Sequence, residues 1–69
     1  MRREPVTSST IAEIGYDERS RSLEILFRNG RLYQYFDVPP QEHRELMNAG
    51  SHGRYLNAHI KGRYRYARV

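Results

Sequence analysis

The stretch LEILFRNGRLYQYFDV, residues 23–38, decides the fold of this chain. Two apolar and aromatic runs flank Asn29-Gly30, a dipeptide that supplies the positive φ angles of a tight hairpin turn. Before the turn, Leu23, Ile25 and Phe27 recur at every second position, which is the period of a half-buried strand. The sequence therefore predicts an antiparallel β-hairpin onto which the rest of this short chain folds.

Two turn types are compatible with this hairpin, and they orient its tyrosines differently. A two-residue type I′ turn places Tyr33 and Tyr35 on the face opposite to Ile25. A type I turn with a bulge at Gly30 pairs Ile25 with Tyr33 instead, so the tyrosines join the core side. Asn-Gly fits both turns. We favour the bulged register, because the alternative directly opposes the two arginines that flank the turn.

The chain has 69 residues and no cysteine. A chain of this length forms one domain and buries only about 60% of its unfolded surface, so it lacks room for a large catalytic cleft. Without cysteine there is no disulfide and no thiolate metal site. No apolar run follows Met1 as in a signal peptide, and none reaches the roughly 20 residues of a membrane span. We therefore expect a cytoplasmic domain with no membrane segment and no cofactor.

The positive charge of the chain is concentrated at its C-terminal end. Residues 1–50 contain seven basic and eight acidic side chains, whereas residues 51–69 contain five basic side chains and no acidic one. Eleven of the twelve basic residues are arginine, which can both grip phosphate bidentately and stack on planar rings. Such a distribution favours a polyanionic partner. The alternative is a solvated basic tail that keeps a small protein soluble.

The first half of the chain predicts a simple meander. Residues 1–5 are expected to form a flexible lead-in to a single domain that covers residues 6–69. Ser8–Tyr16 is predicted to be a strand with Ile14 on one side and Ile11 on the other. A charged turn then leads into the hairpin, so the sheet is predicted to have three antiparallel strands.

The second half predicts two short helices. Two prolines end the third strand, and residues 40–49 form a helix with Gly50 as its C′ residue. Ser51 is a good N-cap for a second helix over residues 52–61. Residues 63–69 alternate again, as in a short edge strand or an extended tail packed on the body.

The predicted fold class is α+β, with a three-stranded antiparallel meander, two short C-terminal helices and a terminal extended segment. The apolar positions of these elements define one core. The core candidates are Ile14, Leu23, Ile25, Phe27, Tyr33, Tyr35, Leu46, Tyr55, Leu56 and Ile60.

Several local motifs resemble the KTSC domain, a small bacterial domain of about this length. They are Tyr33-x-Tyr35, the Val38-Pro39 that follows it, and Ser51-x-Gly53-Arg54-Tyr55. The resemblance extends from about Val6 to Tyr66. It implies a domain that occurs alone or at the C-terminal end of some lysyl-tRNA synthetases. It implies RNA binding and no established catalytic activity.

The basic end supplies the candidate binding residues. Arginines and tyrosines interleave over residues 63–66, a pattern that suits phosphates and stacked bases. The same pattern also suits an edge strand whose tyrosines pack inward and whose arginines discourage edge pairing. The predicted nucleic-acid-binding residues are Arg54, Lys61, Arg63, Tyr64, Arg65, Tyr66 and Arg68.

The sequence gives little support for a metal site or for acid–base catalysis. His52 and His59 lie on the predicted inner stripe of the second helix but about 10.5 Å apart along its axis, too far to share one metal ion. Glu42 and Glu45 are a surface pair at a helix start, where a capping role explains them. We predict no catalytic residue and no metal site. The turn before Arg54 opens a helix and offers a phosphate contact of low specificity.

We therefore predict a small non-enzymatic binding module that is monomeric and has RNA as its partner. The alternative is a protein–protein interaction module that uses an exposed sheet edge or self-association, because the outer strands of the hairpin have unpaired edges.

Overall fold

The hairpin lies in the middle of an antiparallel sheet of five strands, not three. The computed structural model describes residues 2–69. The sheet order is β1-β2-β3-β4-β5, so each strand neighbours the next one in the sequence. The elements are β1 (Arg3–Pro5), β2 (Ile11–Asp17), β3 (Ser22–Phe27), β4 (Leu32–Tyr35), α1 (Pro40–Asn48), α2 (His52–Tyr55), a π-helical turn (Leu56–Ile60) that continues α2, and β5 (Tyr66–Arg68).

The bulged register of the hairpin is confirmed. Ile25 pairs with Tyr33, and Leu23 pairs with Tyr35. Gly30 has a φ of 89°, whereas Asn29 has no positive φ, so the turn is type I with a bulge and not type I′. The tyrosines therefore lie on the same face as the aliphatic residues of β3.

The N-terminal segment is a strand, where the sequence predicted a flexible lead-in. Arg3 is in register with Gly15 on β2, and Gly15 is in register with Glu24 on β3. Because Gly15 has no side chain, the guanidinium of Arg3 reaches across β2 to the carboxylate of Glu24 at 3.3 Å. Arg3 also forms an ion pair with Glu13 at 3.2 Å. These contacts attach β1 to the sheet, but they involve partly exposed charges and contribute modestly to stability.

A bulge in β2 corrects the prediction that Ile11 and Ile14 point to opposite sides. Ile11 is in register with Phe27, Ile14 is in register with Ile25, and the pairing shifts between Ile11 and Glu13. Paired residues share a face, so the extra residue turns both isoleucines towards the core. Their exposed fractions are 0% and 1%.

Both helical segments pack on one face of the sheet. Leu46 of α1, together with Leu56 and Ile60 of the π-helical turn, joins the sheet residues in a single buried cluster. The sequence missed two members of this core, Ile11 and Val38. Phe27, Tyr33 and Tyr55, which were predicted to be core residues, are only partly buried. The fully buried residues are Ile11, Ile14, Leu23, Ile25, Tyr35, Val38, Leu46, Leu56 and Ile60.

Val38 is buried because the chain turns sharply just before it. Asp37 has a left-handed backbone with a φ of 57°. The backbone N–H of Val38 donates to the carbonyl of Arg21 at 2.9 Å, and the hydroxyl of Tyr16 donates to the carbonyl of Val38 at 2.6 Å. The connection from β4 to α1 is therefore tied to β2 and to the turn between β2 and β3.

The helix boundaries depart from the prediction in two places. The first helix is followed by Ala49 in an extended conformation, and Gly50 is not in the left-handed conformation of a C′ residue. The second helical segment ends at Ile60, and the N–H of Lys61 donates to the carbonyl of Leu56 at 2.8 Å. The predicted N-cap is confirmed, because Ser51 Oγ accepts the N–H of Arg54 at 3.3 Å.

Gly30→Ala tests the turn on which the register depends. An added Cβ at residue 30 would meet no atom within 4 Å, so the only cost is the left-handed backbone. We expect the free energy of unfolding to fall by about 1 kcal/mol, measured by urea denaturation. Gly50→Ala is the matched control: its Cβ also enters open space, but its φ is ordinary, so stability should change by less than about 0.5 kcal/mol. Equal effects of the two substitutions would contradict the assignment of the turn.

Candidate nucleic-acid interface

The terminal strand β5 carries the most exposed aromatic ring of the basic end. In β5, Tyr66 is in register with Tyr35. The ring of Tyr66 stacks on Tyr33 with 5.5 Å between centroids and an interplanar angle of 7°, yet the residue is 57% exposed. Tyr66 therefore continues the aromatic contacts of buried Tyr35 and partly buried Tyr33 to the surface of the domain.

Tyr64, in contrast, is anchored in the structure. It is partly buried against the core, and its hydroxyl donates to Glu42 Oε1 at 2.9 Å. The hydroxyl of Tyr55 donates to the other carboxylate oxygen of Glu42. One carboxylate on α1 thus holds α2 and the segment that precedes β5.

This contact corrects the interpretation of Glu42 as a helix-capping residue. The first turn of α1 has no side-chain cap, and the carboxylate points to the two tyrosines. Burial raises the pKa of Tyr55 and of Tyr64, and the hydrogen bond to the negatively charged Glu42 raises both further. Glu45 is 3.4 Å from the hydroxyl of Tyr55 and is exposed.

The basic side chains of this end are almost all free. Lys61, Arg63 and Arg68 are exposed and form no ion pair within residues 2–69. Arg65 pairs with Asp37 at 3.0 Å and lies 5.7 Å from the ring centroid of Phe36. Both members of this pair are about four-fifths exposed, at 80% and 77%.

Arg54 is separated from the other six predicted residues. It lies at the rim of a groove that is also lined by Ser8, Thr10 and Arg28. None of the six C-terminal residues lines this groove. The residues predicted as one nucleic-acid-binding set therefore belong to two surfaces, the groove and the basic end, which we define as residues 61–68.

The three histidines contact neighbouring side chains or backbone. His43 stacks on Tyr16 with 4.6 Å between centroids, and burial lowers the pKa of His43. His52 Nδ1 lies 2.9 Å from the carbonyl of Leu46. His59 was predicted to face the sheet but is exposed, and it stacks on Tyr55 at 4.4 Å. Over residues 2–69, no group of three potential ligand residues is placed to hold a metal ion.

The described part of the chain also contains no helix that is both long and apolar enough to cross a bilayer. Its helices are short and pack on one face of the sheet. Fold and surface together define a small α+β domain with a basic edge.

The chain belongs to the KTSC domain family, whose family model matches residues 7–64. A crystal structure of a KTSC domain protein from Yersinia pestis is 44% identical, with a TM-score of 0.96 over 99% of this chain and 96% of that one. The KTSC family is not a known catalytic family.

Curated relatives are of two kinds. A protein from Stutzerimonas stutzeri is 40% identical over 70 residues, which is 100% of this chain and 99% of that protein. A lysine–tRNA ligase from Nostoc punctiforme is 36% identical over 61 residues, which is 88% of this chain but 11% of the ligase. The chain therefore spans about a tenth of the length of such ligases, in their C-terminal region.

Glu42→Ala should destabilise the domain, because it leaves the hydroxyls of Tyr55 and Tyr64 without their acceptor. Hydrogen bonds to charged groups stabilise more than neutral ones, and partial exposure reduces the effect here. We expect a loss of about 1–2 kcal/mol in the free energy of unfolding by urea denaturation. Glu45→Ala, one helical turn away, should cause a much smaller loss. A Glu45→Ala loss as large as that of Glu42→Ala would show that the contact is not specific.

The same tyrosines predict a loss of stability at alkaline pH. An unfolded tyrosine ionises near pH 10, whereas the pKa of folded Tyr55 and Tyr64 is raised, so only the unfolded chain releases these protons at first. Their contribution is fully present below about pH 10 and decreases as the pH rises above it. The urea midpoint should therefore fall between pH 8 and pH 11, and it should fall less in a Tyr55→Phe/Tyr64→Phe variant. An identical fall in parent and variant would contradict the assignment.

Proposed function

We propose that this KTSC domain binds single-stranded RNA through its basic end. The observation that carries the proposal is the combination, on one short edge, of exposed basic side chains with an exposed aromatic ring. Lys61, Arg63 and Arg68 are exposed and unpaired within residues 2–69, and no acidic residue occurs after position 50. Exposed cations of this kind suit contacts with the phosphates of a nucleic-acid strand.

Arg65 also belongs to the basic end, although its guanidinium lies over Phe36, on the face opposite to the ring of Tyr66, and pairs with Asp37. An ion pair between two solvent-exposed side chains stabilises a protein by only about 0–1 kcal/mol. Since both partners are about four-fifths exposed, a phosphate can replace the carboxylate at little cost. The guanidinium is also planar, so it can grip two phosphate oxygens at once.

Tyr66 provides a place for a base. One side of its ring covers Tyr33, and its 57% exposure leaves room for a second planar group. Stacking on aromatic side chains is worth about 1–3 kcal/mol per base and tolerates any base. Together with phosphate contacts, it predicts binding that depends weakly on the RNA sequence.

The relatives favour RNA over other polyanions. Several curated relatives are named lysine–tRNA ligases, and by that name their reaction involves a tRNA. A region similar to this chain forms part of these enzymes. A domain that works beside tRNA has a direct use for a phosphate-binding edge.

The alternative, a protein-interaction module, rested on unpaired edges of the hairpin, and these edges are paired. The hairpin strands β3 and β4 are both paired on their two sides, so they offer no free edge. The free edges belong to β1 and β5, which have three residues each and carry arginines. Short, charged edges discourage pairing with another chain. Self-association therefore serves as the contrary outcome in the test of RNA binding.

Replacing Arg63 and Arg65 together by Gln tests the proposal. For each phosphate of a single strand that is no longer neutralised, the slope of log affinity against log salt should decrease by about 0.7. We expect weaker binding to all short RNA sequences alike, measured by fluorescence anisotropy at several salt concentrations. Both side chains are exposed, so the fold should persist.

Arg19→Gln with Arg44→Gln is the control, because it removes two exposed positive charges from other surfaces. This control should retain the affinity and the salt slope of the parent. Should the Arg63/Arg65 variant bind like the parent, or should the parent bind no RNA at low salt, the basic end has no such role. Sedimentation of the parent as a dimer would favour the alternative.

A further inference from the structure

A second polar surface lies away from the basic end. It is a groove between the loop that precedes β2, the turn between β3 and β4, and the start of α2. Its two arginines are Arg28 and Arg54, and we name it the Arg28–Arg54 groove. Hydroxyl groups of Ser8, Thr10 and Ser51 complete its walls, and its volume is about 510 Å³.

Arg28 is held in place at this groove. Its Nε donates to the carbonyl of Ser8 at 2.6 Å, and its backbone N–H donates to the carbonyl of Thr10 at 2.9 Å. Its two terminal nitrogens have no hydrogen-bond partner within residues 2–69, and it forms no ion pair there. A guanidinium that is fixed through Nε and free at its fork is suited to bind two oxygens of one anion.

The hydroxyl groups of Ser8 and Ser51 can also donate hydrogen bonds into the groove. Ser8 Oγ accepts the backbone N–H groups of Thr10 and Ile11 at 3.3 and 3.2 Å. Ser51 Oγ accepts the N–H of Arg54. A hydroxyl that accepts from the backbone keeps its own proton for donation, so both serines can donate to a ligand.

The walls of the groove are in close contact at Gly53. A Cβ on Gly53 would lie 2.7 Å from Thr10 Oγ1, so the start of α2 and the loop before β2 touch there. A smaller depression of about 380 Å³ adjoins the groove and shares Arg28 and Gly53 with it. Phe27, Leu56 and Asn57 line this neighbouring depression. It offers apolar surface and the side-chain amides of Asn29 and Asn57 next to Arg28.

No carboxylate lines either part, although the chain contains eight. Two arginines and several hydroxyl donors without an acid match an oxyanion, and phosphate is the anion that a bidentate arginine fork suits best. The adjoining apolar surface with its amides matches a planar ring that carries polar groups. We propose that the Arg28–Arg54 groove binds a nucleotide, with its phosphate on Arg28 and Arg54 and its base beside Phe27 and Asn57. This site does not depend on RNA binding by the basic end.

An NMR titration with nucleotides tests this site. The ¹⁵N-labelled domain is titrated with each of the four ribonucleoside 5′-monophosphates, with the unphosphorylated nucleosides and with inorganic phosphate. We expect the backbone amides of residues 8–10 and 51–54 to shift with at least one nucleotide. That nucleotide should bind more tightly than inorganic phosphate, and its nucleoside should bind at least about tenfold more weakly. No groove shifts at 10 mM nucleotide, or equal binding of nucleoside and nucleotide, would overturn the proposal.

Two single variants and two controls locate the binding. Arg28→Gln and Arg54→Gln should each weaken nucleotide binding about tenfold. The guanidinium of Arg54 forms no ion pair within residues 2–69. Arg54→Gln therefore stays informative even if loss of the Arg28–Ser8 bond loosens the loop. Arg31→Gln, in the same turn but outside the groove, should change the affinity less than twofold. The Arg63→Gln/Arg65→Gln variant should keep groove binding, which separates this site from the basic end.

A short RNA with and without a 5′-phosphate distinguishes the source of the nucleotide. If groove shifts require the 5′-phosphate, the ligand is the end of an RNA chain. If mononucleotides shift the groove and neither RNA does, the ligand is a free nucleotide. Unchanged nucleotide affinity in both Arg28→Gln and Arg54→Gln would refute the site.

Discussion

The pairing of Ile25 with Tyr33 is the contact on which the rest of the domain depends. It follows from the bulge at Gly30, which moves the register of the hairpin by one residue relative to a two-residue turn. A shift of one residue exchanges the two faces of a strand. With this register Tyr35 is 1% exposed at the centre of the core, and Tyr33 lies beneath the ring of Tyr66. The exposed position of Tyr66 is therefore a distant consequence of one turn.

The helical layer depends in turn on how the chain leaves β4. Asp37 adopts a left-handed backbone, which costs energy for a residue with a Cβ, and the fold offsets this by burying Val38 and bonding its N–H and carbonyl. Pro40 then opens α1 at once, since its fixed φ suits a first helical position. Glu42, two residues later, reaches the hydroxyls of Tyr55 and Tyr64. The connection from β4 to α1 therefore determines where Glu42 lies, and Glu42 in turn positions Tyr55 and Tyr64.

The sequence predicted the features that local rules determine and missed those that depend on distant partners. The hairpin, the Ser51 cap and most of the core follow from turn chemistry and periodicity. Ile11 was placed on the wrong face because a bulge in β2 leaves no clear trace in the alternation. The strand β1 was missed because three exposed residues have no pattern; only Gly15, opposite Arg3, hints that something crosses β2 there. Glu42 was misjudged, and the groove beside Arg54 was missed, because the residues that they lie against are far away in the sequence.

The acidic and basic side chains of this domain differ in how many of them have a partner within the domain. Six of the eight acidic side chains take part in hydrogen bonds or ion pairs within residues 2–69, namely Glu13, Asp17, Glu24, Asp37, Glu42 and Glu45. Only two of the eleven arginines, Arg3 and Arg65, pair with an acid in that range. Most carboxylates therefore have a partner within the domain, whereas most guanidinium groups form no ion pair there. The net charge of +4 is therefore spread unevenly over the surface, and the arginines outside these ion pairs are available to attract an approaching phosphate. No acidic residue lines the groove, and at the basic end only Arg65 pairs with an acid within residues 2–69, so an anionic partner meets least opposition at these two places.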